Sequence, residues 1–244
     1  MLKTEGKKSA ALPWQTAEGE EMNRVQFEEL LRELAELRPF FVSERDLQVS
    51  LAMLILKRYP KLRVRPEYCP ALDPSMHIDL MVFTEQGQGI PVELKYRTRR
   101  CTLQDEGRQY TLKEQSARDL GCYLYMKDLE RLERLVGSGE AGASVTFLRG
   151  FALMITNDKG FVQGPKDARS CSYGQFSLTD GQDRTGTMGW GETAGPGTRK
   201  GNENALRLSG TYRMNWQSYS SVSAPTGKEI PFFYQLQTVE RKTD

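Results

Sequence analysis

HIDLMVF at residues 77–83 and IPVELKY at residues 90–96 flank the polar segment TEQGQG at residues 84–89. Aliphatic side chains recur at every second position in both flanking segments, a period that is typical of β-strands with one buried face. The glycines in the polar segment favour a turn. The three segments together predict an antiparallel β-hairpin.

Alternation assigns the side chains of this hairpin to two faces. The aliphatic face comprises Ile78, Leu80, Val82, Ile90, Val92 and Leu94. The opposite face receives His77, Asp79, Met81, Phe83, Glu93 and Lys95. A turn placed near Gly87 sets Asp79 opposite Lys95, and it sets Met81 opposite Glu93. Two carboxylates and an ammonium are therefore expected within roughly 5–8 Å of one another on the polar face.

Two carboxylates beside a lysine can support phosphoryl chemistry. Carboxylate oxygens bind Mg²⁺ or Mn²⁺, and a bound ion lowers the pKa of a water molecule and offsets charge on a phosphate. A nearby ammonium can orient the attacking water or stabilise the transition state. Asp79, Glu93 and Lys95 are therefore candidate catalytic residues. Spacing alone leaves one alternative open, an ion pair on the surface of a sheet.

Two helices are predicted before the hairpin. Apolar residues recur at helical spacing over residues 24–37. Ser43 is a candidate N-cap, and the helix that follows it is expected to run to Tyr59, where Pro60 stops it. A short extended run around Val64 separates this helix from the hairpin.

Helix and strand signals continue after the hairpin. Residues 101–111 lack an apolar period and are expected to form a loop, whereas about residues 112–136 are expected to be helical. Residues 151–156 predict a buried strand. Residues 172–204 are rich in Gly, Ser and Thr, which favours a long or partly disordered loop. The order of elements indicates an α/β core followed by a β-rich tail.

Composition divides the chain of 244 residues into three parts. Residues 1–21 show no periodicity and are interpreted as a mobile tail, residues 22–160 as the α/β core, and residues 161–244 as a C-terminal extension that is first loop-rich and then β-rich. The net charge is only +2, so a nucleic-acid surface would have to be local. The basic run 95–100 is one candidate for phosphate contact, and a solvated strand end is the alternative.

Cysteine usage and hydropathy bear on the compartment. The four cysteines have no Cys-x-x-Cys spacing and the chain has one histidine, which disfavours a zinc site and a disulfide framework. No apolar run reaches the roughly 18 residues of a membrane span, and the first residues do not resemble a signal peptide. A cytoplasmic location without a membrane partner is therefore expected.

The sequence resembles that of the PD-(D/E)XK, or restriction-endonuclease-like, nucleases. Asp79, a turn, and Glu93-Leu94-Lys95 inside an aliphatic strand match the signature of that superfamily, although Ile78 stands where the signature has proline. The order of elements over about residues 43–156 is also similar. The resemblance implies a restriction-endonuclease-like core of order α-β-β-β-α-β, a mixed sheet flanked by helices, here with an added N-terminal helix and a C-terminal β-rich extension.

The resemblance also implies roles for individual residues. The implied ligands of Mg²⁺ or Mn²⁺ are Glu44, Asp79, Glu93 and the Leu94 carbonyl. Glu44 matches an acidic ligand on the first core helix, with Asp46 and Glu67 as rivals. Lys95 would assist the attacking water. Gln115 matches a supporting glutamine on the following helix, and an exposed helix start is the alternative for that residue.

The implied function is metal-dependent hydrolysis of phosphodiester bonds in nucleic acid, with DNA as the expected substrate and a 5′-phosphate on the product. Double-strand cutting endonucleases of this fold often dimerise, so a homodimer is one implied arrangement. Two alternatives stay open. One is a non-catalytic nucleic-acid-binding or assembly subunit with the same fold, and the other is an unrelated α/β protein.

Overall fold

A computed structural model describes residues 22–71, 73–115, 117–137, 145–147 and 149–241. The mobile tail predicted for residues 1–21 lies outside these ranges. Within them the chain forms a mixed α/β fold, with five helices around a six-stranded mixed sheet.

Two of the five helices described begin and end close to their predicted positions, the third begins at Arg118 rather than near residue 112, and the last two were not predicted. They are α1 (Arg24–Leu37), α2 (Glu44–Arg58), α3 (Arg118–Gly137), α4 (Lys159–Gln163) and α5 (Pro196–Arg199). Ser43 is the N-cap of α2 as predicted, because its side chain accepts a hydrogen bond from the Asp46 N–H at 3.1 Å. In the part of the chain that the structure describes, no helix combines the length and apolarity needed to cross a membrane.

Ten strands build the sheets in the described residues. They are β1 (Arg63–Tyr68), β2 (Ile78–Phe83), β3 (Gly89–Arg97), β4 (Cys101–Asp105), β5 (Arg108–Leu112), β6 (Arg149–Thr156), β7 (Asp183–Met188), β8 (Leu206–Arg213), β9 (Trp216–Ser223) and β10 (Glu229–Glu240). The central sheet has the order β1-β2-β3-β6-β10-β9. Strands β3 and β6 are parallel, and the other neighbours are antiparallel.

The predicted hairpin is present, but its predicted register is wrong. Leu80 lies opposite Val92 and Phe83 opposite Gly89, a shift of two residues that brings Asp79 towards Glu93 rather than Lys95. The turn is centred on Gln86 instead of Gly87, so each residue of β2 lies opposite a β3 residue two positions earlier than predicted. Because the shift is even, the assignment of side chains to faces is preserved.

Helices cover both faces of the sheet. On one face, α1 and α2 pack on Leu80, Val82 and other aliphatic residues of the hairpin. On the other face, α3 packs on Met81 and on the β6 residues Ala152 and Met154. Ile78 was predicted on the first face but packs on the second. It pairs with Tyr68 at the end of the β1–β2 ladder, next to Glu67, whose φ of 51° interrupts the regular alternation there.

Two segments predicted as loops contain regular structure. Residues 101–111 form most of the β4–β5 hairpin, whose turn residues Glu106 and Gly107 have φ values of 46° and 76°. Two successive positive φ values are the geometry of a tight hairpin turn, and Glu-Gly is a weaker signal for it than Asn-Gly. Residues 172–204 contain a 3₁₀ turn, β7 and α5. The sequence prediction missed these elements because they are short.

The C-terminal region is part of the central sheet. Strand β10 pairs with β6 along eight residue pairs, from Phe233–Thr156 to Glu240–Arg149. Strand β9 then forms the far edge. The region after residue 160 therefore adds strands to the sheet that carries the predicted hairpin.

Candidate active site

The strands β2 and β3 separate at the open end of the hairpin, and we call this point of separation the fork. Their pairing ends at Leu80–Val92, and β3 continues to Arg97. Beyond this point two backbone N–H groups of β3 bind carboxylates instead of a strand. The Leu94 N–H donates to Asp79 Oδ2 at 2.6 Å, and the Tyr96 N–H donates to Glu44 Oε2 at 2.8 Å. The fork thus brings a carboxylate from β2 and one from the start of α2 to the same edge.

Glu93 and Lys95 contact α3 on the other face of the sheet. The Lys95 Nζ lies 2.5 Å from Asp128 Oδ2, and it donates to the Leu94 carbonyl at 3.0 Å. Glu93 Oε1 lies 3.1 Å from an Arg131 guanidinium nitrogen, without hydrogen-bond geometry. Arg131 also donates to Asp128 Oδ1 at 3.2 Å. Helix α3 therefore supplies one acidic and one basic partner to the predicted trio.

Burial and mutual repulsion dominate the electrostatics of the carboxyls. Burial raises the pKa of Glu93 well above its ordinary value of 4.5, and the charge of Asp128 raises it further. Burial also raises the pKa of Asp79 and of Glu44, although the Lys95 charge and the backbone N–H donors partly offset it. The charge of Asp128 also raises the pKa of Asp79, whereas hydrogen bonding with the Glu93 side chain lowers it.

Lys95 stays charged in this surrounding. Burial by itself would lower its pKa, but the charges of Asp128, Asp79, Glu44 and Glu93 outweigh burial and raise the pKa above its ordinary value of 10.5. The ammonium can therefore donate hydrogen bonds at neutral pH, and it is not a proton acceptor there.

The fork gathers oxygen donors of the kind that bind divalent ions. The fork holds the two cations Lys95 and Arg131 and four carboxylates, those of Glu44, Asp79, Glu93 and Asp128. The charge of Arg97 lowers the pKa of Glu44. Two adjoining carboxyls that repel each other are the hard oxygen donors that Mg²⁺ prefers. Within the described ranges no three His, Cys, Asp or Glu side chains are placed to hold one ion. An ion would therefore bind two carboxylates, with backbone or water oxygens completing its shell.

Some of the predicted site residues lie together at the fork, and others lie elsewhere. Asp79, Glu93, Lys95 and Glu44 lie together at the fork, and the Leu94 carbonyl accepts from Lys95. The rival Asp46 binds Arg38 at 2.7 Å. Gln115 precedes α3, where its N–H donates to the Thr98 carbonyl at 2.7 Å. Its side-chain oxygen is buried, and no hydrogen bond joins it to another described residue, so its supporting role stays a prediction.

Three residues at the fork were missed by the sequence analysis. Asp128 and Arg131 lie in the acidic and basic stretch 127–134, whose mixed charges favour a salt-bridged helix face. Asp128 follows Tyr125 and precedes Leu132 on the buried stripe of α3, and a carboxylate in an apolar stripe is the signal that could have found it. The third residue is Gln48 on the buried stripe of α2, whose amide donates to the Asp79 carbonyl at 2.6 Å and to Glu67 at 2.9 Å.

The raised pKa values predict how stability depends on pH. A folded state that holds protons more tightly than the unfolded state loses stability as pH rises through the folded pKa. We therefore expect the free energy of unfolding of the metal-free protein to fall as pH rises above 4.5. Urea denaturation in EDTA across a pH series measures this slope.

Glu93→Gln should flatten that slope because it removes the buried titrating group. Glu29→Gln is the matched control, since the Glu29 side chain is 60% exposed on α1. Equal slopes in the wild type and in Glu93→Gln would contradict the electrostatic account of the fork.

Comparisons of the chain with protein-family models, with curated proteins and with solved structures give no significant match. Any functional argument therefore depends on the residues and geometry of the fork.

Proposed function

We propose that the chain is a metal-dependent nuclease that hydrolyses phosphodiester bonds in nucleic acid, with DNA as the expected substrate. One observation carries the proposal: Asp79 and Glu93 flank the last β2–β3 pair on one face of the sheet, beside the charged Lys95 at an open strand end. The resemblance of the sequence to PD-(D/E)XK nucleases is a second argument for the proposal.

Asp79 and Glu93 would hold the metal directly, with the Leu94 carbonyl as a further oxygen donor and Glu44 reaching the ion through a water molecule. A bound Mg²⁺ or Mn²⁺ supplies a water of lowered pKa and offsets charge on the phosphate. Glu44 and Asp79 are already oriented by N–H groups of β3, so these carboxylates need little rearrangement to bind an ion.

Lys95 would act as a hydrogen-bond donor. Its ammonium can hold the attacking water through a lone pair of the oxygen, or it can stabilise negative charge on the phosphoryl oxygens in the transition state. The raised pKa argues against a role as general base. Asp128 is a positioning residue for Lys95, and Arg131 is one for Glu93.

A non-catalytic subunit with the same site is the second candidate. It is favoured by the protein partners that the site residues already have, because Asp128 pairs with Lys95 and Arg131 contacts Glu93. In that case the network would be a structural ion cluster. Such a cluster would gain nothing from a divalent ion, and metal addition separates the two candidates.

Mn²⁺ is therefore expected to raise the melting temperature of the wild type. An ion at one hundred times its dissociation constant stabilises a fold by about 2.7 kcal/mol, which for a chain of this size is a shift of roughly 5–10 °C. Differential scanning fluorimetry with and without Mn²⁺ measures this shift, and the assay contains only protein and ion.

Glu93→Gln should abolish the shift, and Glu29→Gln should retain it. A wild type whose melting temperature does not respond to Mn²⁺ counts against the nuclease and favours the structural cluster. Nicking of plasmid DNA in Mg²⁺, compared between the wild type and Asp79→Asn, is the direct test of activity.

A further inference from the structure

Strand β1 carries two arginines on the sheet face that holds the fork. Arg63 lies opposite Phe83 and Arg65 opposite Met81 in the β1–β2 ladder. Directly opposed residues share a face, and residues 79, 81 and 83 of β2 alternate onto the same face. Val64, between the two arginines, packs on the opposite core. The side chains of Arg63 and Arg65 therefore project on the side of Asp79 and α3.

Aromatic rings lie beside these arginines. The Tyr68 and Phe83 rings meet edge to face, with centroids 5.4 Å apart, and the Arg63 guanidinium lies 5.9 Å from the Phe83 centroid. Glu67, with a φ of 51°, interrupts the alternation of β1 just before Tyr68. This break lets Tyr68 share the face of Phe83. Arg63, Arg65, Tyr68 and Phe83 line an open surface cleft of about 320 Å³, which we call the β1 cleft.

The charges of the β1 cleft are not neutralised by neighbours. Across the described ranges neither Arg63 nor Arg65 has an ion-pair partner, although nearby Lys61 pairs with Glu85 at 3.3 Å. Both arginines are exposed. The Tyr68 hydroxyl likewise has no hydrogen-bond partner in the described part of the chain. The cleft thus offers two guanidinium groups and two partly exposed rings to a ligand.

We propose that the β1 cleft binds an unpaired stretch of nucleic acid next to the fork, an inference that rests on the proposed nuclease function. The arginines contact backbone phosphates and the rings stack on bases, a combination that suits single strands. Bases inside a duplex are stacked on one another, so their faces are closed to protein rings. The substrate class is therefore single-stranded nucleic acid, or a duplex with an unpaired end or flap.

The position of the cleft suits this role. Arg65 lies one strand over and two residues along from Asp79, which by strand geometry separates their Cα atoms by roughly 8 Å. Arg63 lies two residues further from the fork on the same strand. A strand whose phosphate is held at Asp79 and Glu93 would thus pass directly into the cleft.

Binding without cleavage tests the inference separately from the proposed function. The full chain in EDTA is titrated into a fluorescent oligothymidylate and into a blunt duplex of equal length, and anisotropy is recorded. We expect tighter binding of the single strand. Joint replacement of Arg63→Ala and Arg65→Ala should weaken it by about tenfold or more, since each contact joins a charged donor to phosphate. Arg32→Ala, on α1 and 70% exposed, is the charge control.

Tyr68 separates stacking from other contacts. Tyr68→Leu should weaken single-strand binding by about fivefold or more, whereas Tyr68→Phe keeps the ring and should bind like the wild type. Thermal unfolding of each variant verifies that the fold is retained.

Equal affinity for single strand and duplex, or unchanged binding in the double arginine variant, overturns the β1 cleft as the binding surface. If Mg²⁺-dependent cleavage is present in the same preparation, the proposed nuclease function survives that result. Conversely, cleft-dependent binding of single strands by a protein that never cleaves upholds the cleft and overturns the nuclease.

Discussion

Asp79→Asn is expected to lower metal-dependent cleavage by about a thousandfold or more, because a metal-bound water and charge neutralisation together contribute several kcal/mol to the barrier. Asparagine keeps an oxygen that can accept from the Leu94 N–H, a bond of 2.6 Å in the wild type, so the fork should keep its shape. The charge that would bind the ion is lost. Initial rates of plasmid nicking in Mg²⁺ measure the effect.

Asp73→Asn is the matched control for this variant. Asp73 lies in the segment before β2 and pairs with Arg134 at 3.2 Å. Its replacement should leave cleavage close to that of the wild type. Purified Asp79→Asn that nicks DNA as fast as the wild type would place the activity elsewhere on the chain, or in another protein of the preparation.

Lys95→Met is expected to destabilise the protein by about 3–5 kcal/mol, the usual result of leaving one member of a buried ion pair alone. The side chains of Lys95 and Asp128 are only 12% and 5% exposed, so water cannot replace the lost ammonium around Asp128. Arg131 would still contact Asp128 at 3.2 Å, which limits the loss. Urea denaturation at neutral pH measures the free energy of unfolding. Cleavage should also be lost.

A double-mutant cycle separates the ion pair from general packing. Lys95→Met combined with Asp128→Asn should recover part of the stability, because the second change removes the unpaired charge. Lys57→Met, an exposed lysine on α2, should change stability by no more than about 0.5 kcal/mol. Strict additivity of the two changes at Lys95 and Asp128 would mean that no buried pair forms.

The hairpin and the grouping of Asp79, Glu93 and Lys95 could be predicted because both follow from local alternation. The grouping did not require the correct register, because a shift of two residues changes the opposed pairs but keeps each side chain on its predicted face. Glu44 reaches the same site by accepting a hydrogen bond from the Tyr96 N–H, and its role as a metal ligand stays a prediction.

The partners from α3 could not be obtained in this way. Helical periodicity places Asp128 and Arg131 on α3, but it does not tell which strand residue each one meets across the sheet. The short β4–β5 hairpin was lost for a different reason, because its apolar residues Leu103 and Leu112 are too few to set a period. Contacts between residues distant in sequence determine the α3 partners, and pairing between the two strands determines the β4–β5 hairpin.

The position of β10 has a consequence for biosynthesis. The fork residues belong to the stretch from 44 to 131, which leaves the ribosome early, yet β6 lies between β3 and β10. Until residues 229–240 emerge, the nascent chain displays one whole side of β6 as an unsatisfied hydrogen-bonding edge. The sheet that carries the fork is thus completed only by a segment translated roughly a hundred codons after the fork residues.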